Sequence, residues 1–155
     1  PVLKRWNLAS LLRLPTPSMS RTEFNPSLVR VNVAAVYLPS HSSPDRDQYT
    51  FAYTITINNG ATLPVQLLSR HWIITDANND AQEVRGEGVV GEQPVIQPQT
   101  SFRYTSGATL TTPIGYMEGS YFMVVREAME IDPADLPTFE VPVGAFSLHT
   151  PTALN

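Results

Sequence analysis

From Leu28 onward, apolar residues recur at every second position. Val29, Val31, Val33, Ala35 and Tyr37 fall on one face of an extended chain, with Arg30, Asn32 and Ala34 on the other. A period of two is the mark of a half-buried β-strand. After a loop of Ser, His, Pro and Asp over residues 39–47, the pattern returns more cleanly. Phe51, Tyr53, Ile55 and Ile57 alternate with Thr50, Ala52, Thr54 and Thr56, aromatic and β-branched inward and threonine outward. Asn58, Asn59 and Gly60 tolerate positive φ and predict a turn.

Residues 65–75 lack clean alternation. Val65, Leu67 and Ile73 are apolar on one face, and Leu68, Trp72 and Ile74 on the other. Such a strand is expected to be buried on both faces, with Arg70 and His71 at its centre pointing opposite ways. Residues 76–80 close it as a polar turn, and Gln82, Glu83 and Arg85 predict a solvent-facing strand. Three glycines follow, then Pro94 and Pro98, which favour extended chain at a sheet edge. Further strands are expected around Phe102 and Tyr104, around Tyr121, Met123 and Val125, and in two closing pieces at 139–143 and 145–149. About seven to eight short antiparallel strands, without one amphipathic helical stretch, predict an all-β, immunoglobulin-like or fibronectin type III-like sandwich. Gly119-Ser-Tyr121-Phe-Met123 has the spacing of a tyrosine corner, whose hydroxyl bonds back to the preceding corner.

Length and composition narrow the class. A chain of 155 residues with 42% hydrophobic and 15% charged residues fits one domain with a real core. Residues 1–22 read as an N-terminal tail and 23–155 as the sandwich domain, because Pro15 and Pro17 interrupt helix near the start. A net charge of −4 argues against a general nucleic-acid or anionic-membrane binder. The absence of cysteine excludes disulfides and thiolate chemistry. No apolar run reaches the ~18 residues of a membrane span. Neither membrane insertion nor a secretory signal is expected, and the cytoplasm is the expected location.

Candidate chemistry clusters after the central strand. Gly86-x-Gly88-x-x-Gly91 matches a dinucleotide-binding string, but that string needs a helix to follow, and here Glu92-Gln93-Pro94 leads into extended chain. The favoured reading is a loop shaped by glycine. An anion nest for a diphosphate or nucleotide, helped by Arg70 or Arg85, is the alternative. Asp76-x-Asn78-x-Asp80, followed by Glu87 at the twelfth position, has the ligand spacing of a calcium loop, yet Ala81 stands where that loop requires glycine. Weak divalent-cation binding by Asp76, Asp80 and Glu87 is therefore the lesser alternative to a polar turn. His41, His71 and His149 have no metal-ligand spacing. No nucleophile elbow, P-loop or zinc-protease motif occurs. No catalytic residue and no cofactor are expected.

Several long stretches, in order, resemble the ApaG family. They are Phe51-x-Tyr53-x-Ile55-x-Ile57, Val65-Gln-Leu-Leu-Ser-Arg-His-Trp-Ile-Ile-Thr-Asp76, and Glu83-Val-Arg-Gly-x-Gly-Val-Val-Gly-x-Gln-Pro94. Phe102-x-Tyr104-Thr-Ser-Gly107, Thr112-Pro-x-Gly-x-Met-x-Gly-x-Tyr121 and Ala145-Phe-Ser-Leu148 complete the set. The resemblance runs from about Leu28 to the C-terminus and implies the same sandwich. It also implies a binding or protein-interaction module, with a bacterial association to cobalt tolerance and magnesium efflux. The chain departs from the family pattern at Asn79-Asp80, where many members have Asn-Gly, and at Pro98-Gln99, where many have Pro-Gly.

The expectation is a non-enzymatic interaction domain with an unidentified protein partner, in which a homodimer is possible through a sheet edge. Its expected contact surface is Arg70, His71 and Arg85 with Gly86, Gly88 and Gly91.

Overall fold

The structure, a computed structural model, describes residues 24–153. Its eight strands are β1 (Val29–Tyr37), β2 (Tyr49–Asn59), β3 (Val65–Asp76), β4 (Ala81–Glu87), β5 (Val95–Ile96), β6 (Thr100–Leu110), β7 (Ile114–Val125) and β8 (Thr138–His149). They form two sheets of order β1-β2-β6 and β4-β3-β7-β8, with the short β5 beside the start of β3. All named pairings are antiparallel. This is the expected immunoglobulin-like, fibronectin type III-like sandwich. The tail assigned to residues 1–22 lies outside the described residues. Among the described residues, no helix is long and apolar enough to cross a membrane.

Strand β2 behaves as its alternation predicts. Phe51, Tyr53, Ile55 and Ile57 are buried, and its threonines meet those of β6, as in the Thr54–Thr105 hydroxyl pair at 2.8 Å. Opposite them, Val65, Leu67, Trp72, Ile74, Met117, Tyr121 and Met123 complete the core between the sheets.

Strand β3 departs from its predicted pattern. A register shift against β7 between Leu67 and Ser69 marks a β-bulge at Leu68. The extra residue moves the following side chains by one position. Val65 and Leu67 before the bulge, and Arg70, Trp72 and Ile74 after it, therefore share the inner face, while His71 and Ile73 point outward. What reads in sequence as a strand apolar on both faces is one inner face with a phase change.

A second bulge joins the two predicted closing strands. Met117 pairs with Phe146 and Gly119 with Val143, so Gly144 and Ala145 of β8 together oppose Glu118 of β7. The 58–60 turn also differs from expectation. None of its residues has positive φ. Instead Asn59 is buried, and its amide donates to the Leu63 and Ile96 carbonyls while its Oδ1 accepts from the Ala61 N–H.

Tyr121 is fully buried, but its hydroxyl does not reach a corner. It meets the Tyr104 hydroxyl across the sandwich at 2.5 Å, linking β7 to β6. Burial pushes the Tyr104 phenol from its ordinary value of 10.0 up to about 12, and the same burial pushes Tyr121 up further. An acid that ionises less readily when folded stabilises the fold fully below its unfolded pKa. That contribution disappears as the pH rises through the folded value. The unfolding free energy is therefore expected to fall as pH rises from 10.0 to about 12. Urea titrations across that range are expected to show a smaller slope in the Tyr104→Phe/Tyr121→Phe double variant. At pH 7 either single variant is expected to cost about 1–3 kcal/mol by stranding the other hydroxyl, and the double variant much less than the sum.

Candidate functional site

The turn between β3 and β4 fixes the geometry of everything after it. Asp76 N–H donates to the Asp80 carbonyl, and the Asp76 carboxylate accepts from the Asn78 and Asp80 N–H groups and the Thr111 hydroxyl. Asn79 takes the left-handed conformation, at φ 65°. Asn tolerates that region because its short polar side chain bonds locally. The resulting register places Arg70 opposite Gly86, His71 opposite Arg85, Ile73 opposite Glu83 and Ser69 opposite Glu87.

This register separates the residues proposed to hold a divalent cation. Asp76 and Asp80 sit at the turn, while Glu87 lies at the far end of β4, roughly 20 Å along the strand. The Asp76 carboxylate is committed to the Asn78 and Asp80 N–H groups and the Thr111 hydroxyl. The calcium-loop spacing of Asp76, Asp80 and Glu87 does not become a ligand set, because the intervening residues are an extended strand rather than a loop. Among the described residues, no group of three or more His, Asp or Glu is placed to hold a metal ion.

The glycine string is a structural hairpin. Val89 N–H donates to the Glu92 carbonyl at 2.8 Å and Glu92 N–H returns to the Val89 carbonyl at 2.9 Å. Val90 at φ 43° and Gly91 at φ 81° form the tip between them. Positive φ at both central residues is the type I′ turn, whose twist matches that of the flanking strands. Val89 is buried in the core and anchors the tip. Gly88, at φ 63°, has no room for a side chain: a Cβ there would lie 2.1 Å from the Glu92 carbonyl oxygen. Its N–H donates to the Leu68 carbonyl at 2.8 Å.

Val90 is the strained member of this turn, since a β-branched residue rarely adopts positive φ. Its side chain is 55% exposed, so little packing is lost on replacement. Val90→Asn, which installs the preferred Asn-Gly pair, is expected to raise the unfolding free energy by about 1 kcal/mol. Chemical denaturation measures the gain.

The expected contact residues divide between the two faces of the sheet. Arg70, on the inner face, lies over Gly86, where a Cβ would meet its guanidinium at 2.8–2.9 Å. Its Nη1 donates to the Gly88 carbonyl at 2.7 Å and the Glu87 carbonyl at 3.2 Å. Arg70, Gly86 and Gly88 thus build the hairpin. His71 and Arg85 lie on the outer face, joined by a residue that the sequence did not single out. Glu83 Oε2 is 2.9 Å from His71 Nε2 and 3.2 Å from Arg85 Nη2. The hydrogen bond with His71, and then the Arg85 charge, hold the Glu83 carboxyl below its ordinary value. Glu83 was findable in principle: folding the chain back about the 76–80 turn brings it diagonally beside His71.

A family model described as the ApaG domain matches residues 39–125. Protein ApaG of Methylococcus capsulatus is 51% identical over 130 residues, which cover 84% of this chain and 97% of that protein. Protein ApaG of Dechloromonas aromatica is 48% identical over 134 residues, covering 86% and 99%. A solved structure described as an ApaA protein from Bordetella pertussis is similar at 46% identity and a TM-score of 0.73, covering 81% of this chain and 95% of that one.

Proposed function

We propose that this chain, which belongs to the ApaG family, is a non-catalytic domain that binds a protein partner in the cytoplasm. The observation that carries this reading is the preformed outer corner of the β3–β4 ribbon. There the exposed Val90 tip stands on a type I′ hairpin held by Arg70, and His71, Glu83 and Arg85 form a ready-made charged cluster on the outer face. A rigid surface loses little conformational entropy on binding, and an exposed apolar tip with charged neighbours suits a protein surface. Under this reading the association of bacterial members with cobalt tolerance and magnesium efflux is exerted through the partner.

The diphosphate reading draws less support from the same loop. The N–H groups of Gly88, Val89 and Glu92 donate to protein carbonyls, so a phosphate would have to displace those bonds. The experiment that tests the partner reading compares immobilised wild type with Val90→Asp and His71→Ala in a bacterial extract. A partner is expected to be retained by wild type and lost with both variants. Val90→Asp keeps the fold, because Asp tolerates positive φ better than Val. Identical retention by all three proteins would overturn the assignment of this corner.

A further inference from the structure

We infer that β4 is the self-recognition edge of this domain, pairing antiparallel with β4 of a second copy about a two-fold axis at Val84. This goes beyond the partner reading, which concerns the hairpin tip and a different protein, although both use the outer-face side chains of Glu83 and Arg85. Strand β4 ends its sheet, so one side of its backbone has no strand beside it among the described residues. Which groups point outward follows from the ladder. Gly88 N–H bonds the Leu68 carbonyl at one end and Asp76 N–H the Asp80 carbonyl at the other, with an unbroken register between. Antiparallel bonding alternates along a strand. Gln82, Val84 and Gly86 therefore turn their backbone groups toward β3, and Ala81, Glu83 and Arg85 turn theirs outward.

Pairing centred on Val84 matches those outward groups to each other. Glu83 of each copy faces Arg85 of the other, as a hydrogen-bonded pair whose side chains share the outer face. The motif Glu-Val-Arg is thus complementary to its own reverse, which a two-fold interface requires. Val84, 37% exposed on the inner face, would meet its own counterpart at the axis. The other edges lack this property. Strand β8 carries Pro142 and the Gly144–Ala145 bulge, and β1 and β6 each have one charged residue, Arg30 and Arg103, with no acidic residue to face it.

Sedimentation of the purified full chain from about 10 μM to about 1 mM tests the inference, since a strand-edge contact falls in the weak class of interfaces. A concentration-dependent monomer–dimer equilibrium is expected. Glu83→Arg and Arg85→Glu each set like charges opposite each other twice, and each is expected to weaken the dimer at least about tenfold. An equimolar mixture of the two variants regains opposite-charge pairs and is expected to form the heterodimer. The double charge swap E83R/R85E is expected to regain the homodimer. A wild type that stays monomeric throughout, a dimer indifferent to both single changes, or a mixture that does not associate would each overturn it. Because only pure protein is used, failure here leaves the Val90→Asp retention experiment standing.

Discussion

Trp72→Ala is expected to lower the unfolding free energy by about 3–5 kcal/mol, a large share of the ~5–15 kcal/mol typical of a domain. Trp72 is 2% exposed at the centre of β3. Its ring meets Tyr121 and Phe146 edge-on, each with centroids 5.9 Å apart, and Tyr53 at the same distance. Removing it takes one side from three aromatic contacts, of which the one with Tyr53 crosses to the other sheet, and a cavity between sheets cannot close without bending strands. Trp72→Phe is expected to cost much less than the alanine change. The indole Nε1 is buried without a hydrogen-bond partner among the described residues, so phenylalanine removes an unsatisfied donor along with some apolar area. Guanidinium titrations of the two variants against wild type measure both costs.

Gly119→Ala is expected to cost about 3 kcal/mol through the opposite fault, one methyl too many. Gly119 pairs opposite Trp72 in the middle of β7. A Cβ there would lie 2.1 Å from the His71 carbonyl oxygen and 2.7 Å from Trp72 Cε3. The first of these is backbone, which cannot rotate away, so β3 and β7 must separate locally. Gly144→Ala, in the bulge of β8, is the matched control. Among the described residues nothing lies within 4 Å of a Cβ at that position, and a change within about 0.5 kcal/mol is expected. Amide exchange is expected to speed up along β3 and β7 in Gly119→Ala and to stay at the wild-type rate in Gly144→Ala.

These two sites mark where the sequence was legible and where it was not. Strand β2 keeps one phase from end to end, so its apolar residues named its inner face correctly. Strand β3 changes phase at Leu68, and a bulge leaves no mark in composition. Without it, Arg70 and Trp72 fall on the wrong side relative to Val65 and Leu67. The closing segment reads as two strands for the same reason, since Gly144 and Ala145 interrupt the alternation without ending the strand.

The candidate site was legible as a set of residues and illegible as an arrangement. Arg70, His71 and Arg85 were singled out together, yet the sheet separates Arg70 from the other two. Glu83 reads in sequence only as a solvent-facing strand residue, because its meeting with His71 depends on cross-strand register, which the turn at Asp76 sets. The glycine string gave its meaning only partly. That no helix follows it was readable, but Val90-Gly91 lacks the Asn-Gly signal of a type I′ turn. Gln99 makes the converse point. It holds φ 61° where many family members have glycine, and its side-chain amide donates to the Gly60 and Ala61 carbonyls. A departure from the family pattern there leaves the turn in place.

Under the proposed function the glycine hairpin is scaffolding for a protein-binding corner rather than a cradle for phosphate. Amide NMR of the nitrogen-labelled chain, titrated separately with pyrophosphate, ADP, Mg²⁺ and Co²⁺ to millimolar concentration, tests it most directly. The amides of Gly88, Val89, Val90, Gly91 and Glu92 are expected to keep their positions with pyrophosphate and ADP, and those of residues 76–80 to keep theirs with either cation. Saturable shifts of the hairpin amides on adding pyrophosphate would contradict it.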